Sequence, residues 1–217
     1  MSYATLILGE PGTGKTCSIR NLDPKKTLLI QPIRKPLPFR SKGWKEIRQK
    51  GDGGNIFVCD QAHLIVKAMT KATQDVIVVD DWTFILTNMF MARSAEKGYQ
   101  KFTDIAAAGN NVLRTASELA PEKRVYIMGH TTKGEDEVVR IKTVGRLLDE
   151  KLVPEARFSI VLRTHVDRAN GRYTFFTQNS GFDTVKTPIG LFDNDEIDND
   201  LAVVDRAICD FYEISHE

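Results

Sequence analysis

The residues Gly9-Glu10-Pro11-Gly12-Thr13-Gly14-Lys15-Thr16 constrain this chain more than any other stretch. They satisfy the pattern G-x-x-x-x-G-K-[ST] at each fixed position. Ahead of them, Ala4–Gly9 is a short apolar run ending in glycine, which predicts a buried strand. Behind them, a helix is expected from about Lys15 to Asn21. A strand, a glycine loop and a helix in this order cradle phosphate. Gly12 and Gly14 let the backbone curl so that successive N–H groups converge on phosphate oxygens, and the helix N-terminus adds its positive end. Lys15 is placed to reach the β- and γ-phosphates, and the Thr16 hydroxyl to ligate Mg2+. Gly9, Pro11, Gly12, Thr13, Gly14, Lys15, Thr16 and Cys17 are therefore the candidate nucleotide contacts, with ATP and Mg2+ as the ligands. A glycine-rich turn matching by chance is the alternative, and the flanking elements argue against it.

The run Val76-Ile77-Val78-Val79-Asp80-Asp81 is the natural second half of such a site. Four β-branched residues in a row suit a strand covered on both faces. A carboxylate at its end can hold Mg2+ opposite Thr16, a role that fits Asp80. An isolated Asp here could instead cap the helix expected from Trp82, a reading that the P-loop disfavours. Asp81 reads as a general base that polarises the attacking water, or as that N-cap. Two further strand candidates, Thr27–Gln31 and Ile56–Cys59, lie in sequence between the loop and Asp80. In P-loop kinases and GTPases the acidic strand neighbours the P-loop strand; an inserted strand marks the additional-strand division of RecA-like, AAA-type and helicase motors. In that division Val125–Gly129 is the next strand, and His130, followed by Thr131, faces the γ-phosphate as a polar sensor. A loop histidine without a role is the competing reading.

The remaining pattern fits an α/β domain. Gln61–Thr73 reads as helix, and residues 82–97 and 99–119 as two more, broken near Gly98. Strand and helix alternate over the first 130 residues, which predicts a mainly parallel sheet with helices on both faces. Val138–Lys142 is expected as an edge strand and Arg146–Leu152 as a short helix. Phe158–His165 and Arg172–Thr177 flank Asn170-Gly171, which predicts a hairpin with positive φ at both turn residues. Residues 178–197 read as loop. Asp200–Tyr212 reads as a closing helix with Leu201, Val204, Ile208 and Phe211 as its buried stripe. The expected organisation is one domain over 1–217: a core of 1–131 and a C-terminal hairpin and helix extension over 132–217.

Composition narrows the class. At 217 residues, 41% hydrophobic and with a net charge of +1, the chain can bury a core and is not disordered in character. No apolar run approaches the ~20 residues that a bilayer requires, and no secretory leader is visible at Met1. Cys17, Cys59 and Cys209 are odd in number and widely spaced, which points to free thiols in a reducing, cytoplasmic setting.

The near-neutral total conceals an uneven distribution. Residues 34–50 carry Arg34, Lys35, Arg40, Lys42, Lys45, Arg48 and Lys50 against Glu46 alone, interleaved with Phe39 and Trp44. Cations that follow a phosphate backbone, with aromatic faces for bases, are the logic of single-strand binding. Arg34, Lys35, Arg40, Lys42, Trp44 and Lys45 are accordingly candidate DNA contacts. A solvated surface loop is one alternative; another places Arg34 or Lys35 beside the nucleotide, because the segment leaves a strand whose end should lie near the P-loop. Residues 193–217 carry nine acids against Arg206 and read as a solvated helix face.

Together, residues 9–16, the Val-rich strand ending Asp80-Asp81, and Gly129-His130-Thr131 resemble the phage-encoded AAA-type P-loop ATPases with a RecA-like core. That group includes small recombinases acting as single-strand annealing proteins. The resemblance extends loosely over most of the chain, and its specific part is the P-loop. It implies a RecA-like three-layer α/β/α fold, Mg2+-dependent ATP hydrolysis, and a role in phage DNA recombination or replication in the host cytoplasm. Single-stranded DNA is the implied partner, alongside a phage or host single-strand binding protein. It also implies a homo-oligomer completing the site with an Arg or Lys in trans, for which Arg146, Arg157, Arg163 and Lys186 are candidates by position. One departure stands out. RecA-like ATPases usually carry a catalytic Glu just after the second strand, where this chain has Leu29-Ile30-Gln31-Pro32-Ile33. Either Asp81 substitutes, or another acid folds in, or hydrolysis is slow. A nucleotide-dependent DNA-binding module without turnover is the second reading. A small-molecule kinase is the third, weakened because Lys133–Arg140 is acid-rich where kinases carry an Arg-rich lid.

Overall fold

The computed structural model describes residues 1–49, 51–145 and 152–215. Its centre is β1 (Tyr3–Leu8), which leads into the P-loop. On one side lie β5 (Arg124–Gly129), β4 (Val76–Val79), β2 (Thr27–Gln31) and β3 (Ile56–Val58), in that spatial order and all parallel. On the other side β8 (Ile160–Asp167) runs parallel to β1, followed by β9 (Arg172–Phe176) and β10 (Glu196–Asp198), each antiparallel to its neighbour. β5 thus stands between the P-loop strand and the strand that ends in Asp80. This is the inserted-strand order, within a mostly parallel α/β fold.

Alternation along each strand divides the core in two. Leu6, Leu8, Ile30, Ile77, Val79 and Ile127 face one layer, formed by α1 (Ala62–Lys71), α2 (Trp82–Ala92) and α3 (Gln100–Glu118). Ile7, Leu29, Val78, Tyr126 and Met128 face the other, where Ile19, Leu22, Trp44 and the helix α4 (Leu201–Phe211) pack. Every residue of β4 is buried, as a β-branched run covered on both faces requires. The second layer is tied to the sheet by a polar cluster: Asp205 of α4 accepts from Arg124 Nε and Nη2, both at 3.1 Å, and from Tyr126 Oη at 2.6 Å.

Several local expectations are corrected. The helix after the P-loop is a six-residue 310 helix, Thr16–Asn21. The Ser18 hydroxyl turns back to the Lys15 carbonyl at 2.6 Å, and Pro24 follows shortly after. Val139–Ile141 (β7) is not an edge of the main sheet; it pairs with β6 (Thr131–Lys133) as a separate ribbon. The β8–β9 hairpin forms, but only Gly171 adopts positive φ (64°), because the Asp167 carboxylate accepts from the Ala169 and Asn170 N–H groups and shapes a longer turn. Within the stretch read as loop, β10 forms, and Lys186 exchanges two backbone hydrogen bonds with Val161 of β8. In α4, Leu201, Val204 and Ile208 are fully buried, whereas Phe211, at the end of the helix, stays exposed. Asp205 also departs from the solvated acidic face expected there. The helix expected over Arg146–Leu152 falls, apart from Leu152, outside the described residues.

Candidate nucleotide site

The P-loop turns out of β1 at Gly9. A Cβ there would meet Thr164 Oγ1 of β8 at 1.9 Å, so glycine is required for the close approach of the two strands. Thr164 in turn braces the loop: its hydroxyl lies 2.6 Å from Thr13 Oγ1 and 3.2 Å from the Leu8 carbonyl. Gly12 and Gly14 take φ of 77° and 97°, the left-handed region that a side chain disfavours. Pro11, Gly12, Gly14, Lys15, Thr16 and Cys17 all line one cavity of about 560 Å3, as do Asp81 and His130.

Three elements deliver charge to that cavity. β1 and its loop bring Lys15, whose Nζ donates to the carbonyls of Gly9 (2.7 Å) and Glu10 (3.0 Å). β4 brings the two acids, joined by a cis peptide bond. The Thr16 hydroxyl lies 3.0 and 2.9 Å from the two oxygens of Asp80, so the carboxylate is placed opposite the hydroxyl. β5 brings His130, whose backbone N–H is held by Thr83 Oγ1 at 2.9 Å and whose ring meets Phe84 edge-on.

Asp81 takes the N-cap role that its position allowed. Its Oδ1 accepts from the Thr83 N–H at 2.8 Å and caps α2, so Asp80 is not the cap. Its Oδ2 takes no hydrogen bond among the described residues and lies 3.2 Å from His130 Nε2. Lys15 Nζ lies 3.2 Å from His130 Nδ1. An ammonium only donates, so Nδ1 is the acceptor and Nε2 carries the proton that faces Asp81. Burial pushes the Asp81 carboxyl above the ordinary carboxylate range, against the pull of His130 and Lys15. It pushes both the His130 imidazole and the Lys15 ammonium down. Lys15, His130 and Asp81 form one line of close polar contacts.

The basic segment is only partly available to DNA. Lys35 turns inward, 3.3 Å from Asp80 Oδ2, which places it at the nucleotide site. Arg34 pairs with Glu46 at 2.6 Å. Trp44 is 8% exposed and packs in the core beneath the segment, so its ring offers no stacking face; this corrects its placement among the DNA contacts. Arg40, Lys42, Lys45 and Arg48 remain exposed. Of the cations considered for action in trans, Arg163 is held by the buried Asp183 at 3.0 Å and Arg157 bonds Asn110 of α3. Lys186 is exposed but anchored through its backbone, and Arg146 lies outside the described residues.

Sequence reasoning missed Thr164 and Asn199. Asn199 is 2% exposed, sits against Gly14, and its side-chain amide has no partner among the described residues. Neither belongs to a motif; each reaches the loop across the sheet from more than 150 positions away.

Cys17, Cys59 and Cys209 are free thiols, and no described helix is long and apolar enough to cross a membrane. No family model and no curated protein matches the sequence. Among solved structures, the chain is similar to the flagellar accessory protein FlaH from Methanocaldococcus jannaschii. The TM-score is 0.43 at 14% identity, over 89% of this chain and 83% of that one.

Proposed function

We propose that the protein binds ATP with Mg2+ and hydrolyses it, and that single-stranded DNA is the partner to which hydrolysis is coupled, in a DNA recombination or replication role. The observation that carries the first part is that Lys15, Thr16, Asp81 and His130 line one cavity, with Asp80 2.9 Å from the Thr16 hydroxyl. The donor set fits Mg2+: one hydroxyl and one carboxylate are hard oxygen ligands, and Mg2+ commonly takes few protein ligands and completes its shell with phosphate and water. Bound there, Mg2+ would neutralise charge on the transferring phosphoryl group.

The remaining work falls to the chain itself. The backbone N–H groups of the loop surround the phosphates, and Lys15 exchanges the Gly9 and Glu10 carbonyls for phosphate oxygens. Asp81 Oδ2, with a free lone pair and a raised pKa, accepts a proton from water. His130 stands 3.2 Å from Asp81 Oδ2 and accepts from Lys15, so it flanks the base and links it to the phosphate-reading lysine.

The DNA half rests on Arg40, Lys42 and Lys45, exposed on the segment that also sends Lys35 into the site. The kinase reading loses further support at the β6–β7 ribbon, where Lys133 pairs with Glu137 and Arg140 with Asp136. Those cations are engaged by their own ribbon. One observation favours a nucleotide switch without turnover: the end of β2 carries the buried Gln31 and no acid.

ATP hydrolysis in Mg2+ without DNA, with single-stranded DNA and with duplex DNA tests the reading. The expected result is turnover that single-stranded DNA accelerates and that Lys15→Ala abolishes. ATP binding with no phosphate release under all three conditions would leave the switch in its place.

A further inference from the structure

Lys35 is a cation at the site that the proposed chemistry leaves unused. It sits in Pro32-Ile33-Arg34-Lys35-Pro36-Leu37-Pro38, where three prolines fix φ and limit the backbone's freedom. Adjacent cations go opposite ways: Arg34 outward to Glu46, Lys35 inward to the cavity. The Lys35 ammonium lies 3.3 Å from Asp80 Oδ2, 3.5 Å from Asp80 Oδ1 and 3.4 Å from Thr16 Oγ1. These are the three oxygens that fit Mg2+.

Two cations cannot share those oxygens cheaply. Mg2+ takes its ligands at about 2.1 Å, and its double charge would stand close to the ammonium in a partly desolvated site. Lys35 must therefore leave Asp80 when Mg2+ arrives. Asp81 Oδ1 is taken by the Thr83 N–H and Oδ2 is buried against His130, so Asp81 offers no ready second berth. The terminal phosphate of a Mg2+-bound triphosphate would lie beside Thr16 and Asp80, in the cavity that Lys35 already lines.

We propose that Lys35 is a resident counter-ion that yields Asp80 and Thr16 to Mg2+ and passes to the terminal phosphate of the bound triphosphate, so that the segment after β2 reads triphosphate against diphosphate. This rests on the nucleotide-binding reading above. The same segment carries Trp44 into the second core layer and holds Arg40, Lys42 and Lys45 at the surface. The transfer of one ammonium thus ties the phosphate count to the cations facing outward.

Lys35→Met, Lys35→Arg and Lys15→Ala test this in two measurements. The first is Mn2+ binding followed by electron paramagnetic resonance, without nucleotide. Removing the competing ammonium in Lys35→Met should tighten Mn2+ binding about tenfold, and Lys35→Arg, which keeps the charge, should stay near the parent. The second is the affinity ratio of ATPγS to ADP in Mg2+, which should fall about tenfold in Lys35→Met through loss of one charge-assisted phosphate contact. Equal Mn2+ affinity in the parent and both Lys35 variants overturns the counter-ion. An unchanged ratio overturns the transfer, while ATPγS binding that Lys15→Ala removes shows the nucleotide reading intact. A parent protein that binds no ATPγS overturns both.

Discussion

Single residues decide how the phosphate loop is held, and Gly9 and Thr164 show why. The glycine leaves room for a threonine hydroxyl that belongs to another strand and bonds the loop's own Thr13. Gly9→Ala should destabilise the fold by about 1–3 kcal/mol in a urea titration, because a methyl group is forced into occupied space. Thr164→Ala in that background should recover much of the loss, and the double-mutant cycle should give a coupling well outside the additive range. His130 sets a different kind of expectation. It lines the cavity, but its ring nitrogens face Lys15 and Asp81, so His130→Ala should leave ATPγS affinity within a few-fold. It should lower kcat by about 100-fold, the usual loss when a positioned acid–base group is removed. A change confined to affinity would instead make His130 a phosphate ligand.

At the scale of elements, long patterned segments declared themselves and short ones did not. The two-sided burial of β4 follows from its β-branched run, and the buried stripe of α4 from its spacing. β7 and β10 hold three residues each, too few for any periodicity, and exist because neighbouring backbone offers them partners. The P-loop helix is one short 310 stretch in which the Ser18 hydroxyl bonds back to the Lys15 carbonyl, with Pro24 soon after. The join between α4 and the sheet was equally illegible, since Asp205 looked like one more acid of a charged tail. Its carboxylate instead satisfies Arg124 and Tyr126 in the interior, where burial and the acceptor raise the tyrosine pKa well above its ordinary value. Asp205→Ala strands a buried guanidinium and should cost about 3–5 kcal/mol of unfolding free energy, measured by denaturant. Asp205→Asn, which keeps an acceptor, should cost less.

For the whole molecule, charge placement matters more than charge total. A sequence of near-zero net charge folds so that several basic residues stay outside while Lys35 and Lys15 go in. If the outer set carries single-stranded DNA, replacing Arg40, Lys42 and Lys45 by alanine should weaken binding uniformly across sequences. It should also flatten the salt dependence of log K by roughly 0.7 per cation removed. An unchanged slope would place the nucleic-acid face elsewhere. By itself the sequence determined the phosphate loop, the acid pair at the end of a buried strand, the histidine of the next strand and the parallel α/β class. These are written in contiguous motifs and in periodicities that local sterics and burial enforce. Only the tertiary structure decided which acid caps and which faces Thr16, that Asp81, His130 and Lys15 form one chain, that Trp44 is core, and that Lys35 points at Asp80. Each of these depends on side chains from separate strands meeting where the sheet's register brings their ends together, and no local pattern encodes that distance.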